Sequence, residues 1–278
     1  LYAAGYSPAQ MEKLLNSAEF KDMSQGIIDN KYQYYFKRRD DDASWVSFKL
    51  ALDSSMTSVL PTNLISPVPI DFGLMELFGA PAAAAKYNFD SLYVPFRCVA
   101  AEIENKETII FKNGDLAEAV RASITYPFYI SPIRVNGKLL FDGGLYNNFP
   151  SNIMYKDFFP DIIIGSNVGS NSKPNEDDLF SQIKTMLQNK SDYNAICENG
   201  IIITPYTSVG TFDFKNPQPI IDSGYAATIR KMDTIKLLVE RRVEQKELEV
   251  KRIMFRGKQP DMIFNHLTIQ GLNTKQSE

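Results

Sequence analysis

Phe141-Asp142-Gly143-Gly144-Leu145-Tyr146-Asn147-Asn148-Phe149-Pro150 is the stretch on which the reading of this chain turns. A strand-like run, Ile133 to Phe141, delivers an acid followed at once by two glycines. Two readings are open. Asp and Gly are turn residues, chosen for backbone geometry. An acid at a strand end is also where parallel α/β folds put their chemistry. Gly143 and Gly144 would let the backbone turn sharply while the acid faces a cavity. Upstream, Ile133-Arg134-Val135 and Lys138-Leu139-Leu140-Phe141 flank Asn136-Gly137, the strongest short hairpin signal. The strand leading to Asp142 is therefore expected to be the second arm of a hairpin.

Working outward, Ser151 to Phe158 reads as a helix. Asp161 to Gly165 is a short continuous apolar run, the pattern of a strand buried on both faces. Asp177 to Gln188 reads as a helix and Ile201 to Thr204 as another buried strand. Ser223 to Arg252 reads as one long helix whose mixed charges suit a solvated face. Gly257 to Pro260 looks like a linker, and Ile263 to Gln270 alternates as a last strand.

Toward the N-terminus, Asp115-Leu116-Ala117-Glu118 is a capping box opening a helix through Ser123. Leu92 to Ile103 and Thr108 to Phe111 are strand-like. Glu102, Glu104 and Glu107 lie around the turn between them and are expected in solvent. Asp71 to Phe78 predicts a helix, either packed in the core or facing lipid as a lid. Pro61, Pro67 and Pro69 place a loop before it. Trp45 to Leu52 alternates as a half-buried strand. Ser7-Pro8-Ala9-Gln10 starts a helix over Ala9 to Asn16, with Ser7 as cap and Pro8 at the first helical position. Leu1 to Gly5 reads as the end of a preceding element. Strands interleaved with helices predict a layered α/β fold with a mostly parallel sheet.

Composition narrows the chemistry. The 278 residues are 44% hydrophobic and 12% aromatic, enough for a packed core. A net charge of -3 gives no basic field for nucleic acid. Lys37-Arg38-Arg39 runs straight into Asp40-Asp41-Asp42, as in a solvated turn. Cys98 and Cys197 lie in apolar contexts and read as buried free thiols, too few for a disulfide scaffold. No apolar run approaches the roughly 18 residues that would cross a bilayer. The single histidine, His266, is near the C-terminus, so a His-rich metal site is excluded. No metal or cofactor is called for. Gly165-Ser166-Asn167-Val168-Gly169 is not Gly-x-Ser-x-Gly and lacks the spacing of a dinucleotide or phosphate loop. With no histidine in the body of the chain, a serine activated directly by an acid is the hydrolase route left open. Such a site needs burial to raise the acid's basicity and strong donors for the oxyanion.

Ala119-Val120-Arg121-Ala122-Ser123-Ile124-Thr125-Tyr126-Pro127, then Pro132, then Leu140 to Pro150, resembles the C-terminal half of a patatin-like phospholipase domain. Pro95 to Ala100 and Asp161 to Gly165 are similar to the flanking strands of that family. Leu1 to Pro8 resembles the segment just after its nucleophile helix. The resemblance covers Leu1 to Thr204 and implies a three-layer α/β/α fold, a Ser-Asp dyad and hydrolysis of lipid acyl esters. Asp142 matches the dyad aspartate, with Gly143 and Gly144 completing its turn. The family's Gly-x-Ser-x-Gly nucleophile and its Gly-rich oxyanion loop are both missing from these 278 residues. The N-terminal part of the domain is therefore expected to be absent, and this piece alone inactive. A patatin-like domain is expected over residues 1–256.

Phe264-Asn265-His266-Leu267-Thr268-Ile269-Gln270-Gly271-Leu272 is similar to the first strand of a POTRA domain; an ordinary terminal strand is the other reading. The first would place the protein in a bacterial cell envelope, at a membrane surface. The functional expectation is a lipid or phospholipid acyl hydrolase with Asp142 as base. The alternative is a non-catalytic lipid-binding or envelope scaffold module.

Overall fold

The computed structural model describes residues 1–29, 63–169, 182, 185–186, 188–206, 209–240, 243–261 and 263. The strand expected at Trp45 to Leu52, the charged run at Lys37 to Asp42, most of the helix at Asp177 to Gln188, and the last strand with His266 lie outside the described residues.

Local chemistry builds the sheet that carries the acid. Asn136 and Gly137 take φ of 50° and 81°. A two-residue hairpin turn needs two left-handed residues in succession, and Asn-Gly adopts them at least cost. They join β3 (Ile133–Val135) to β4 (Lys138–Asp142). A second hairpin joins β1 (Cys98–Glu102) to β2 (Glu107–Phe111). β1 also pairs with β4, with Ala100 opposite Asp142. The order is β2-β1-β4-β3, so β4 is an inner strand.

The α/β class stands, but strand direction differs from expectation. All three pairings of this sheet are antiparallel: two are hairpins, in which the chain turns straight back on itself, and the third sets the inner arms of the two hairpins, β1 and β4, side by side in opposite directions. Among the described residues, parallel pairing occurs between β5 (Ile162–Ser166) and β6 (Asn199–Ile203). β5 is not buried on both faces either. Ile163 is buried and Ile164 is 46% exposed, the alternation of a strand covered on one side.

The helices start where capping chemistry puts them. In α1 (Pro8–Leu15), Ser7 Oγ accepts from the Gln10 N–H at 3.2 Å and Gln10 Oε1 from the Ser7 N–H at 2.9 Å, satisfying two otherwise orphaned donors. α2 (Ala18–Gln25) starts at Ser17 and stops at Gly26. α3 (Val68–Ala84) is longer than the predicted Asp71 to Phe78. Pro67 and Pro69 fall at its cap and first turn, where a missing N–H costs no hydrogen bond. α4 (Leu116–Ser123) is capped by Asp115, whose carboxylate accepts the Ala117 and Glu118 N–H groups. α5 (Ser151–Phe158) has the predicted bounds. The single long helix predicted for Ser223 to Arg252 is two helices, α6 (Gln218–Leu238) and α7 (Gln245–Arg256). Val239 and Glu244 have extended backbones at the break; Val239, β-branched, favours that conformation.

Packing then stacks these elements. Ile70, Leu74 and Phe78 of α3 share a core with Leu116 and Ala119 of α4. The other side of α4 lies on the sheet, where Ala122 packs with Ala100, Val135 and Leu140. The alanines there leave room for α4 to approach the strands closely. Burying Leu140 fully contributes about 2 kcal/mol. α6 covers β6 through Ala227, against Ile201 and Ile203.

Glu102, expected in solvent, is fully buried, whereas Glu104 and Glu107 are exposed. Its carboxylate accepts the Glu104 N–H at 2.6 Å, the Asn105 N–H at 3.0 Å and Asn105 Nδ2 at 2.8 Å. Burial acts to raise its pKa. These hydrogen bonds, with the charge of Lys138, outweigh burial and hold the carboxyl below its usual range. Among the described residues no helix is long and apolar enough to cross a membrane.

Candidate active site

Asp142 is the last residue of β4, half-buried at the end of an inner strand. Its N–H donates to the Thr125 carbonyl at 2.8 Å. Its Oδ1 accepts the Gly144 N–H at 2.7 Å and so caps the 3-10 turn Gly143–Leu145. The turn reading of the sequence is therefore correct as geometry. The same bond fixes where the carboxylate stands, because one of its two oxygens is tied to the backbone two residues on.

The strand end is held from behind by a group the sequence reading missed. Thr125 is fully buried, and its hydroxyl donates to the Arg121 carbonyl at 2.7 Å. The Arg121 guanidinium, 3% exposed, donates from Nη1 to Thr125 Oγ1. Its Nε donates to Asp71 of α3 at 2.6 Å and its Nη2 to the Ser131 carbonyl at 2.7 Å. One cation thus ties α3, α4 and the lead-in to β3 to the residue whose carbonyl pins Asp142. A buried guanidinium is tolerated only with its donors satisfied in this way. An arginine on the apolar side of a short helix, four residues before a threonine, was the available signal.

On the other side the turn is covered by Asn148 and Tyr193. Asn148 Nδ2 donates to Tyr193 Oη at 3.1 Å. The Leu145 carbonyl accepts the Asn189 N–H at 2.7 Å, and Ser151 Oγ donates to the Asn194 carbonyl at 2.9 Å. Residues 189–194 therefore lie along the turn and the start of α5. The Gly165 to Gly169 segment also belongs here. A Cβ on Gly165 would meet the Phe149 ring at 2.2 Å, and one on Gly169 the Tyr193 oxygen at 2.5 Å. Close packing against the acid turn accounts for these two glycines without a phosphate.

Cys98 stands near this end of the sheet as a buried free thiol, and Cys197 is a half-buried one. Burial pushes Cys98 up to about 11; hydrogen bonds from Ser123 and Val99 oppose this and the charge of Asp142 adds to it. A thiol so raised stays protonated near neutral pH and is a poor nucleophile. Among the described residues no group of three or more His, Cys, Asp or Glu is placed to hold a metal ion. The structure thus gathers Asp142, Gly143 and Gly144 in one rigid turn, with Thr125, Arg121, Asn148 and Tyr193 around it. An acid held this way can accept a proton from a hydroxyl brought within hydrogen-bond reach.

The family model described as patatin-like phospholipase matches residues 1–155. An uncharacterized NTE family protein of Mycobacterium bovis is 41% identical over 68 residues, 24% of this chain and 12% of that one. Another from Mycobacterium tuberculosis is 38% identical over 61 residues, 22% of this chain and 17% of that one. A putative patatin-like phospholipase domain-containing protein of Caenorhabditis elegans is 25% identical over 181 residues, 52% of this chain and 16% of that one. The chain thus matches between 12% and 17% of the length of these relatives.

Proposed function

This chain belongs to the patatin-like phospholipase family, and on that premise we propose that it supplies the acid of a lipid acyl hydrolase. Asp142 is the base of a Ser-Asp dyad, and the serine comes from a Gly-x-Ser-x-Gly segment outside these 278 residues. In the acylation step the serine Oγ bonds to the ester carbonyl carbon as its proton passes to Asp142. The tetrahedral intermediate then expels the alcohol, which takes that proton, and leaves an acyl-enzyme. Water repeats the sequence to release the fatty acid. The dyad requires no metal.

What supports this reading most is the fixing of Asp142 at an inner strand end between the Thr125 carbonyl and the Gly144 N–H. A carboxylate is a weak base, so a direct Ser-Asp pair depends on placement to within fractions of an ångström. The envelope setting rests on the POTRA-like residues Phe264 to Leu272 and belongs to the same proposal.

A fluorophosphonate probe with the full-length protein tests the reading. It should label one serine within Gly-x-Ser-x-Gly stoichiometrically and abolish release of fatty acid from phosphatidylcholine. An unlabelled protein with no esterase turnover would leave the non-catalytic lipid-binding module in its place.

A further inference from the structure

α7 presents two different faces. Phe255 and Arg252 are buried, at 7% and 6% exposure. The Arg252 guanidinium pairs with Glu249 and lies over the rings of Tyr2 and Tyr93, 5.7 and 5.1 Å from their centroids. This side docks the helix onto the N-terminal segment and the loop before β1. On the opposite face Val250, Ile253 and Met254 are 57%, 62% and 64% exposed. Their spacing puts them on one outward stripe. Single exposed apolar residues need no explanation, but a stripe directly opposite a docked face does.

Beside the stripe runs an open groove of about 570 Å³ between α7 and Ser91–Tyr93. Its floor is apolar, with Leu92, Val250, Met254 and Phe255. Lys246, Lys251 and Lys258 stand along it against one acid, Glu247. The chain as a whole carries -3, and Glu244 and Glu249 line the next hollow beside Lys246, so the groove itself is the basic part of this surface. The lysines span about 18 Å of helix and turn, at 1.5 Å per residue.

We propose that this face of α7 docks the protein on the surface of an anionic phospholipid bilayer. Apolar side chains enter the boundary between headgroups and acyl chains while lysines meet the anionic headgroups. A symmetric contact with a second copy fits less well, since it would set the lysine-lined groove against itself. The inference rests on the lipid-ester reading for its choice of a bilayer, but its readout is binding and needs no turnover.

The test is co-sedimentation of the full-length protein with vesicles of phosphatidylcholine mixed with phosphatidylserine, and with phosphatidylcholine alone. Wild type should bind the mixed vesicles far better, and less as salt rises. The triple variant Lys246→Gln, Lys251→Gln, Lys258→Gln should lose about 100-fold in partitioning, each lysine near such a surface being worth roughly 1 kcal/mol. Ile253→Ser with Met254→Ser should weaken binding as well, and all these positions are exposed enough for the variants to fold. Hydrolysis of a water-soluble ester should be unchanged in every variant. Unaltered vesicle binding in both variants, equal binding to phosphatidylcholine alone, or a dimer that the Ile253 and Met254 changes dissolve would each overturn the proposal. Vesicle binding without any ester turnover would instead remove the hydrolase reading and leave this one standing.

Discussion

Gly143 and Gly144 are adjacent, yet the structure assigns them separable costs. An alanine Cβ at Gly143 would lie 2.4 Å from the Val99 carbonyl oxygen and 2.7 Å from its carbon. Ordinary contact begins near 3.4 Å, so about 1 Å of movement is required, far beyond what a packed core absorbs freely. The clashing atoms are Val99 backbone in β1, paired to Ile110 of β2 one residue from the point where β1 also pairs with β4, and cannot swing away as a side chain could. Gly143→Ala should therefore cost about 3 kcal/mol, the upper end for overpacking. That corresponds to a fall of roughly 6–10 °C in Tm for a chain of this size. At Gly144 the same Cβ meets the tip of Asn148 at 2.6 Å and Asp142 Oδ1 at 3.0 Å. Both are side-chain ends that can give way. Gly144→Ala should cost less than about 1 kcal/mol of stability. It should still lower ester turnover about 10-fold, by displacing the carboxylate and breaking the Asn148–Tyr193 bond. Thermal denaturation followed by circular dichroism, with ester hydrolysis by the full-length variants, separates the two. A Gly143→Ala protein as stable as wild type, or a Gly144→Ala protein that melts below the Gly143→Ala protein, would show that the two glycines are not held by these contacts.

Two other predictions follow from groups behind the turn. Arg121→Ala removes three side-chain hydrogen bonds from a buried site and should destabilise by about 3 kcal/mol, read as a lower urea midpoint; an unchanged midpoint would show that Thr125 holds the strand end unaided. Glu102 has a folded-state pKa below its unfolded value, so the folded state binds this proton less readily. Its contribution is fully present above the unfolded value and is lost as pH falls through the folded one. Glu102→Gln should therefore flatten the loss of stability as pH falls from the ordinary carboxylate range toward more acid values, and an acid limb as steep as wild type's would contradict this.

How much of this was legible in the sequence depended on the range of the interaction. Asn136-Gly137, Ser7-Pro8 and Asp115 carry their own turn and cap chemistry, and the elements they specify form where they indicated. The two hairpins were equally local, yet their consequence, an antiparallel sheet around Asp142, was overridden by a pattern of alternating strands and helices that suggested parallel pairing. The burial of Glu102 is not legible locally because it comes from β4, 38 residues downstream in the pairing of Glu102 with Leu140. Asp142 stands out as a candidate in the sequence through its flanking motif. Its surroundings do not, because Thr125, with Arg121 behind it, reaches the strand end only once α4 lies on the sheet, and Tyr193, which bonds Asn148 of the turn, belongs to a segment with no motif. The break between α6 and α7 was hidden by a continuous run of charged residues that suits one helix as well as two.

On the proposed function, the carboxylate of Asp142 works chemically and does not only cap a turn. Asp142→Asn keeps the volume and leaves an oxygen to accept the Gly144 N–H, so the fold should survive. Ester hydrolysis by the full-length Asp142→Asn protein is the most direct measurement. kcat/KM should fall about 10³-fold with Tm unchanged; turnover within a few-fold of wild type in the folded variant would mean that the carboxylate serves the turn alone.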